Sequence, residues 1–131
     1  MRRMVFALGS GLLILMASLV TPTAATARTG DLAGTWTSID TDGSSQELEI
    51  RGSGQGAYSA FLVDDAATVC GGAPAMFVGT GRLDGDTLAV WGTLTCLPGG
   101  NVIRGRIPFE FTYSAATDTL TDFTGVTWSR A

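Results

Sequence analysis

The segment VIRGRIPFEFTYS, residues 102–114, decides the fold because its apolar and polar side chains alternate. A period of two residues is typical of a half-buried β-strand, whose side chains point to opposite faces of a sheet in turn. Pro108 indicates an edge position or a bulge, since proline has no N–H to donate to a neighbouring strand. One face carries Ile103, Ile107, Phe109, Phe111 and Tyr113, and the other carries Arg104, Arg106, Glu110 and Thr112.

Outward from this segment, short alternating stretches are separated by turn signals about every 8 to 12 residues. Asp42-Gly43 and Asp84-Gly85 favour tight hairpins. Helical periodicity is absent after residue 27. We therefore predict an all-β chain: a single small antiparallel up-and-down β-barrel of about eight strands, whose first and last strands pair. The other predicted strands are 34–39, 46–51, 57–63, a short one at 66–70, 75–83, 86–96, 119–121 and 124–130.

The N-terminal residues have the order of an export signal. Arg2 and Arg3 precede an uncharged apolar run at residues 5–20, and a triplet of small residues ends at Ala27. This order predicts a signal peptide at residues 1–27, cleaved after Ala27, and a β-barrel domain at residues 28–131. A membrane anchor is the alternative, but the run is shorter than the roughly 20 residues that span a bilayer. We expect a secreted protein that has left the membrane after cleavage.

The chain without its leader is acidic and lacks two catalytic residue types. Six arginines and twelve carboxylates remain, so the formal charge is 6 − 12 = −6. Phosphate binding needs clustered positive charge, so nucleic acid is not an expected partner. Histidine and lysine are absent from the sequence, which excludes Ser-His-Asp and Cys-His catalysis, histidine-ligated zinc and Schiff-base chemistry. We predict a protein that is not an enzyme, with no catalytic residues and no cofactor.

One acidic stretch, residues 40–44, resembles the start of a calcium-binding loop. An EF-hand requires Gly at the sixth position and Glu at the twelfth, where this chain has Ser45 and Arg51. The stretch therefore predicts a hairpin turn, and we expect no metal site.

Cys70 and Cys96 are the two cysteines of the chain. In an exported protein, oxidation to a disulfide is the expected outcome, whereas a reactive thiol would need an activating base. Closing a loop of about 27 residues stabilises a fold by roughly 3.5 kcal/mol in the chain-entropy treatment. The cysteine pair therefore predicts one disulfide that contributes a large part of the stability of a small domain.

The two ends of the barrel domain resemble the calycin group, which includes lipocalins, avidins and certain bacterial protease inhibitors. The resemblance rests on Gly34-Thr35-Trp36 in the first strand and on Arg130 in the last. It implies a small β-barrel in which Trp36 packs across the closed end and Arg130 stacks on its ring. A guanidinium is suited to this position, because it can stack on an indole while donating to backbone carbonyls.

These observations predict a monomeric, secreted, non-enzymatic binding protein, whose ligand is a small apolar molecule or a surface glycan. An eight-stranded barrel can be filled by side chains or can hold one small ligand. We expect some of Leu48, Ile50, Phe109 and Phe111 to line an interior pocket. The candidate binding residues are Trp91, Phe109, Phe111 and Tyr113, of which Trp91 is expected on the outer or mouth-facing side.

The alternative is a secreted protease inhibitor of calycin-like fold, with an extracellular protein as its partner. It would present the segment Arg28 to Ala33 or the loop Gly71 to Pro74 to a protease. A smaller hypothesis concerns Arg104 and Arg106, which share a face and either pair with Glu110 or bind an anion.

Overall fold

The structure is a computed structural model that describes residues 32–52, 56–97 and 102–131, without the side chains of residues 102–106. The predicted signal peptide at residues 1–27 and the Arg104/Arg106 hypothesis therefore lie outside the described residues. Within the described ranges, no helix is long and apolar enough to cross a membrane.

Eight antiparallel strands form one closed barrel in sequence order, which confirms the predicted all-β up-and-down architecture. Each strand pairs with the next along the chain, and the last pairs with the first. The strands are β1 (Gly34–Ile39), β2 (Ser45–Gly52), β3 (Ala57–Ala67), β4 (Ala73–Asp84), β5 (Thr87–Cys96), β6 (Val102–Ser114), β7 (Thr119–Asp122) and β8 (Thr127–Arg130).

Closure of the barrel depends on a short pairing between β1 and β8. Trp36 lies opposite Arg130, and Thr37 lies opposite Ser129. Beyond this ladder, the N–H of Ala131 donates to the carbonyl of Thr35 at 3.0 Å. The predicted pairing of the first and last strands is therefore confirmed.

Strand β6 matches the alternation that predicted it. Phe111 and Tyr113 are buried, while Pro108 and Glu110 are exposed. Pairing of β6 with β7 begins only at Phe111, so Pro108 lies where the register pairs β6 with β5 alone. Pro108, which has no N–H to donate, therefore lies in a part of β6 that has a described neighbouring strand on one side only.

The short strand predicted at residues 66–70 is wrong. Ala67 instead ends β3 after a register shift, and Thr68–Cys70 form a single 3-10 turn. Gly71 and Gly72 then reverse the chain with φ angles of 67° and 86°, a left-handed conformation that glycine adopts without steric cost. The last strand is also shorter than predicted, because residues 123–126 form a turn before it.

Gly79 and Gly92 leave room for the ring of Phe77, the largest interior side chain of β4. A Cβ at Gly79 would lie 2.7 Å from the ring of Phe77 and 2.8 Å from Val90, and a Cβ at Gly92 would lie 2.7 Å from the same ring. Phe77 is only 1% exposed. The bare backbone of these glycines therefore accommodates the ring, and the interior is filled at this level.

The predicted disulfide between Cys70 and Cys96 is confirmed. It joins the 3-10 turn after β3 to the last residue of β5. Pro74, next to this turn, accepts a hydrogen bond from the N–H of Leu97 at 2.7 Å. The covalent bond and the hydrogen bond hold the end of β5 against the chain reversal between β3 and β4.

Candidate functional site

One end of the barrel is closed by Trp36 and Arg130. Trp36 is fully buried, and its indole N–H donates to the carbonyl of Leu32 at 3.0 Å. The guanidinium of Arg130 lies 4.2 Å from the centroid of the Trp36 ring and donates to the carbonyl of Ala33 at 3.1 Å. Leu32 is itself fully buried, so the chain before β1 covers this end.

Arg130 also belongs to a hydrogen-bonded polar cluster with Asp118 and Tyr113 at this closed end. Arg130 Nε donates to Asp118 Oδ2 at 2.8 Å, and the Tyr113 hydroxyl donates to Asp118 Oδ1 at 3.0 Å. The hydrogen bond from Arg130 is the main cause that lowers the pKa of Asp118, and the Tyr113 hydroxyl lowers it further. The same hydrogen bond raises the pKa of Arg130. Both ionised forms are stabilised, which suits a structural closure.

At the opposite end, the described residues surround a cavity of about 210 Å³, here called the mouth cavity. The strand register places the cavity at this end. Ser38, Gln46 and Asp64 lie opposite one another on β1, β2 and β3, and Ser38 is the next inward-facing residue of β1 after Trp36, in the direction away from the closed end. The cavity is lined by Asp40, Gln46, Leu62, Asp64, Ala67, Thr68, Val69, Ala75, Leu94, Phe109, Asp122, Phe123, Thr124 and Trp128.

A row of inward polar side chains crosses three strands at this end. The Ser38 hydroxyl donates to Gln46 Oε1 at 3.0 Å, and Gln46 Nε2 donates to Asp64 Oδ2 at 3.1 Å and to Asp40 Oδ2 at 3.2 Å. Ser38 is 9% exposed and Asp64 is 7% exposed. Buried polar groups carry a desolvation cost unless they are hydrogen-bonded, and this row satisfies part of their capacity.

Asp64 is a buried carboxylate without a cationic partner among the described residues. It accepts hydrogen bonds from Gln46 Nε2 and from the N–H of Ala66. The ion pairs found in the described part of the chain are Arg51 with Glu49 and Arg130 with Asp118. A carboxylate accepts about four hydrogen bonds, so Asp64 retains capacity for a donor that enters the cavity.

Aromatic rings form the apolar wall of the mouth cavity. Phe109 lies 4.7 Å from Phe77 and 5.5 Å from Phe123, measured between ring centroids. Phe123 is 63% exposed, and Val69 at the same rim is 61% exposed. Exposed apolar side chains around a concave mouth are typical of a binding site.

Asp122 holds the turn that carries Phe123. Its Oδ1 accepts from the N–H of Thr124 at 2.9 Å and of Val126 at 3.0 Å, and its Oδ2 accepts from the Trp128 indole at 3.0 Å. Four-residue turns of this kind are commonly organised by an Asp side chain. The rim residue Phe123 is thus attached to a well-bonded turn.

The structure does not bring the four predicted binding residues together. Phe109 lines the mouth cavity. Phe111 is fully buried with its ring 5.9 Å from Trp128, and Tyr113 lies at the closed end, 6.2 Å from Trp36. Trp91 lies on the outer wall of the barrel. Leu48 and Ile50, expected to line the pocket with Phe109 and Phe111, are core residues outside its lining.

Sequence reasoning missed the polar residues of the mouth cavity and its rim. Asp64 and Gln46 could have been found from strand parity, because Asp64 continues the inward series of Tyr58 and Leu62, and Gln46 shares parity with Leu48. Phe123 carried no such signal, because it lies in a turn rather than in a patterned strand.

The segments proposed for protease binding have little free length in the described residues. Leu32 is buried and Ala33 binds Arg130, while residues 28–31 lie outside the described part. In the loop from Gly71 to Pro74, the last two residues already belong to β4. The inhibitor hypothesis stays a prediction.

In the described ranges, three or more Asp, Glu or Cys side chains are nowhere grouped to hold a metal ion. Comparisons with protein-family models, with curated proteins and with solved structures find no match to this chain.

Proposed function

We propose that the chain is a secreted, monomeric, calycin-like binding protein that takes one small molecule in the mouth cavity. The observation that carries the proposal is the partly enclosed cavity of about 210 Å³ at the end opposite Trp36, with the buried carboxylate of Asp64 in its wall. The G-x-W motif and its contact with Arg130 support the calycin-like assignment. The leader and the disulfide support export.

The cavity favours a ligand with two chemically different ends. An apolar or aromatic body would pack between Phe109 and the exposed rim residues Phe123 and Val69. A head that donates hydrogen bonds would meet Asp64 and the carbonyl oxygen of Gln46. The volume is below the roughly 300–1,000 Å³ of drug-sized sites, so the ligand is small.

Binding without catalysis is consistent with the composition. The sequence contains neither histidine nor lysine, so the common general bases and amine nucleophiles are lacking. The carboxylates of the mouth cavity accept hydrogen bonds from neutral neighbours, which suits recognition.

The proposal is tested with the secreted protein in two steps. Native mass spectrometry first asks whether the protein carries a ligand from the culture. Thermal unfolding is then recorded with a set of size-matched small aromatic compounds that bear an amine, a hydroxyl or a carboxylate. Donor-bearing compounds should raise Tm, because ligand binding to the native state stabilises it.

Variants locate the binding. Asp64→Asn and Phe123→Ala should weaken the effect of any active compound. Ile39→Ala is the matched control, because Ile39 has the same 63% exposure as Phe123 but does not line the cavity. The proposal is overturned if no compound is carried or stabilises the protein, or if the two cavity variants respond like Ile39→Ala.

A further inference from the structure

A second concave surface lies on the outer wall of the barrel, away from the mouth cavity. It is an open groove of about 490 Å³ across β2, β3, β4 and β5, here called the outer groove. None of the described residues lines both the outer groove and the mouth cavity.

The register explains the shape of the outer groove. Arg51 lies opposite Ser59, Ser59 opposite Thr80, and Thr80 opposite Trp91, so the four form one row on the outer face. Two short side chains stand between a long arginine and a large indole. The middle of the row is therefore low and its two ends are high.

Positive charge concentrates in the outer groove although the chain as a whole is acidic. Three arginine side chains lie in the described part of the protein, at positions 51, 82 and 130, and the first two line this groove. Among the described residues, no carboxylate lines it. Arg82 makes no ion pair with any described residue, whereas Arg51 Nε donates to Glu49 at 2.8 Å.

Trp91 supplies an aromatic surface beside these charges. It lines the outer groove and is 39% exposed. Thr80 on β4 is the cross-strand partner of Trp91 on β5, and Arg82 lies two residues after Thr80 on the same face. The Arg82 side chain therefore comes from the strand next to that of the indole. A planar guanidinium matches a carboxylate with two parallel hydrogen bonds, and an indole packs against the flat apolar face of a ring.

We propose that the outer groove binds an acidic saccharide, with Arg82 and Arg51 on its carboxylates, a sugar ring on Trp91, and Ser59 and Thr80 on its hydroxyls. Neighbouring strands are about 4.8 Å apart, so three steps from Arg51 to Trp91 give a row of about 14 Å. This length suits a short run of sugar rings rather than a single ion.

The closed barrel disfavours an extended peptide as the occupant. Strand addition requires an unpaired sheet edge, and each of the strands that form the outer groove, β2 to β5, already pairs with a strand on both sides. A peptide would have only side-chain contacts at the outer groove. A saccharide needs no strand edge, since hydroxyls and carboxylates carry its recognition.

The test measures binding of the secreted protein to polygalacturonate and alginate. Methyl-esterified polygalacturonate is the matched ligand, because it keeps the sugar rings and removes the charge. We expect the acidic polymers to bind, esterification to abolish binding, and added salt to weaken it by screening. Arg82→Gln should weaken binding by about tenfold, as expected for loss of a charged hydrogen bond, and Trp91→Ala should also weaken it.

Glu49→Gln provides a variant that should bind the acidic polymers more tightly instead of more weakly. It removes the carboxylate that occupies Arg51, so affinity for the acidic polymers should rise. Ile39→Ala, exposed and outside the outer groove, should bind like the unaltered protein. Thermal unfolding of every variant checks that the fold is retained.

Three results would overturn the proposal. The first is failure of both acidic polymers to bind. The second is equal binding of the esterified polymer. The third is equal binding of polyglutamate or single-stranded DNA, which would show attraction to any polyanion. Ligand binding in the mouth cavity is measured separately with Phe123→Ala, so the two proposals can fail independently.

Discussion

Arg130 and Trp36 are cross-strand partners on β8 and β1, and the guanidinium of Arg130 stacks 4.2 Å from the centroid of the Trp36 ring. The same two residues therefore complete the sheet and cover its end. Arg130 also reaches the carbonyl of Ala33 and the carboxylate of Asp118. Three segments of the chain that are distant in sequence meet at this one guanidinium.

Trp36→Ala should lower the free energy of unfolding by about 3 to 5 kcal/mol, as deletion of a buried aromatic ring usually does. Trp36 is fully buried, and its removal also leaves the carbonyl of Leu32 without its indole donor. Urea denaturation with a common m-value measures the loss. Trp91→Ala is the matched control, because Trp91 is 39% exposed, and its loss should be clearly smaller.

Arg130→Lys separates stacking from charge at the same site. Lysine keeps the positive charge but lacks the planar fork that reaches two oxygens and stacks on a ring. We expect intermediate stability between the unaltered protein and Trp36→Ala. Equal stability of the unaltered protein and both variants would contradict a role of this contact in closing the barrel.

The barrel was predictable because its pattern is local. Strand β6 follows directly from the alternation at residues 102–114, and the oxidation of Cys70 and Cys96 follows from their number and from the export that the sequence predicts. The end of β3 was not predictable in this way. Its register shifts between Asp64 and Ala67 to meet β4, which depends on a strand that is distant along the chain.

The candidate site was less predictable than the fold. Phe109 was expected from its strand pattern, but its neighbour Phe123 comes from the β7–β8 turn. Alternation places a side chain inside or outside the barrel, and it does not tell which level of the interior is filled. The pattern therefore could not tell that Phe111, which faces the interior like Phe109, packs against Trp128 in the core and does not line the cavity.

Removing the disulfide should destabilise the barrel without changing its pattern of strands. The double variant Cys70→Ala/Cys96→Ala opens a loop with a sequence separation of 26, which corresponds to about 3.5 kcal/mol of lost stability. The double variant avoids a remaining free thiol. Differential scanning calorimetry of the variant and of the reduced unaltered protein should give similar decreases in Tm. An unchanged Tm on reduction would contradict this stabilising role.

Gly79→Ala should cost about 1 to 3 kcal/mol, the usual range for overpacking an interior. The new methyl group would lie 2.7 Å from the Phe77 ring and 2.8 Å from Val90. Because the clash is with a side chain, the double variant Gly79→Ala/Phe77→Leu should lose less stability than the sum of the two single variants. Strict additivity in urea denaturation would show that Phe77 and Gly79 are not coupled.

The stability contributed by Asp42 should disappear in acid. Asp42 lies in the β1–β2 turn and accepts a hydrogen bond from the Thr68 hydroxyl at 2.6 Å and one from the N–H of Ser44 at 3.0 Å. These bonds, Thr68 first, lower the pKa of Asp42 from 3.8 to about 2. A depressed pKa means that the unfolded chain binds more protons between these values, so the contribution is complete above pH 3.8 and is lost as the pH falls to about 2.

Urea midpoints of the unaltered protein and of Asp42→Asn, recorded across that range, give the measurement. The difference between them should be largest above pH 4, as the linkage rule requires, and should shrink toward about pH 2. The same comparison is then made between Thr68→Val and the double variant Thr68→Val/Asp42→Asn. Because Thr68→Val removes the main donor to Asp42, the difference between these two variants should depend less on pH. A difference that stays constant down to pH 2 would mean that the carboxylate of Asp42 does not link the β1–β2 turn to the 3-10 turn at Thr68 through its charge.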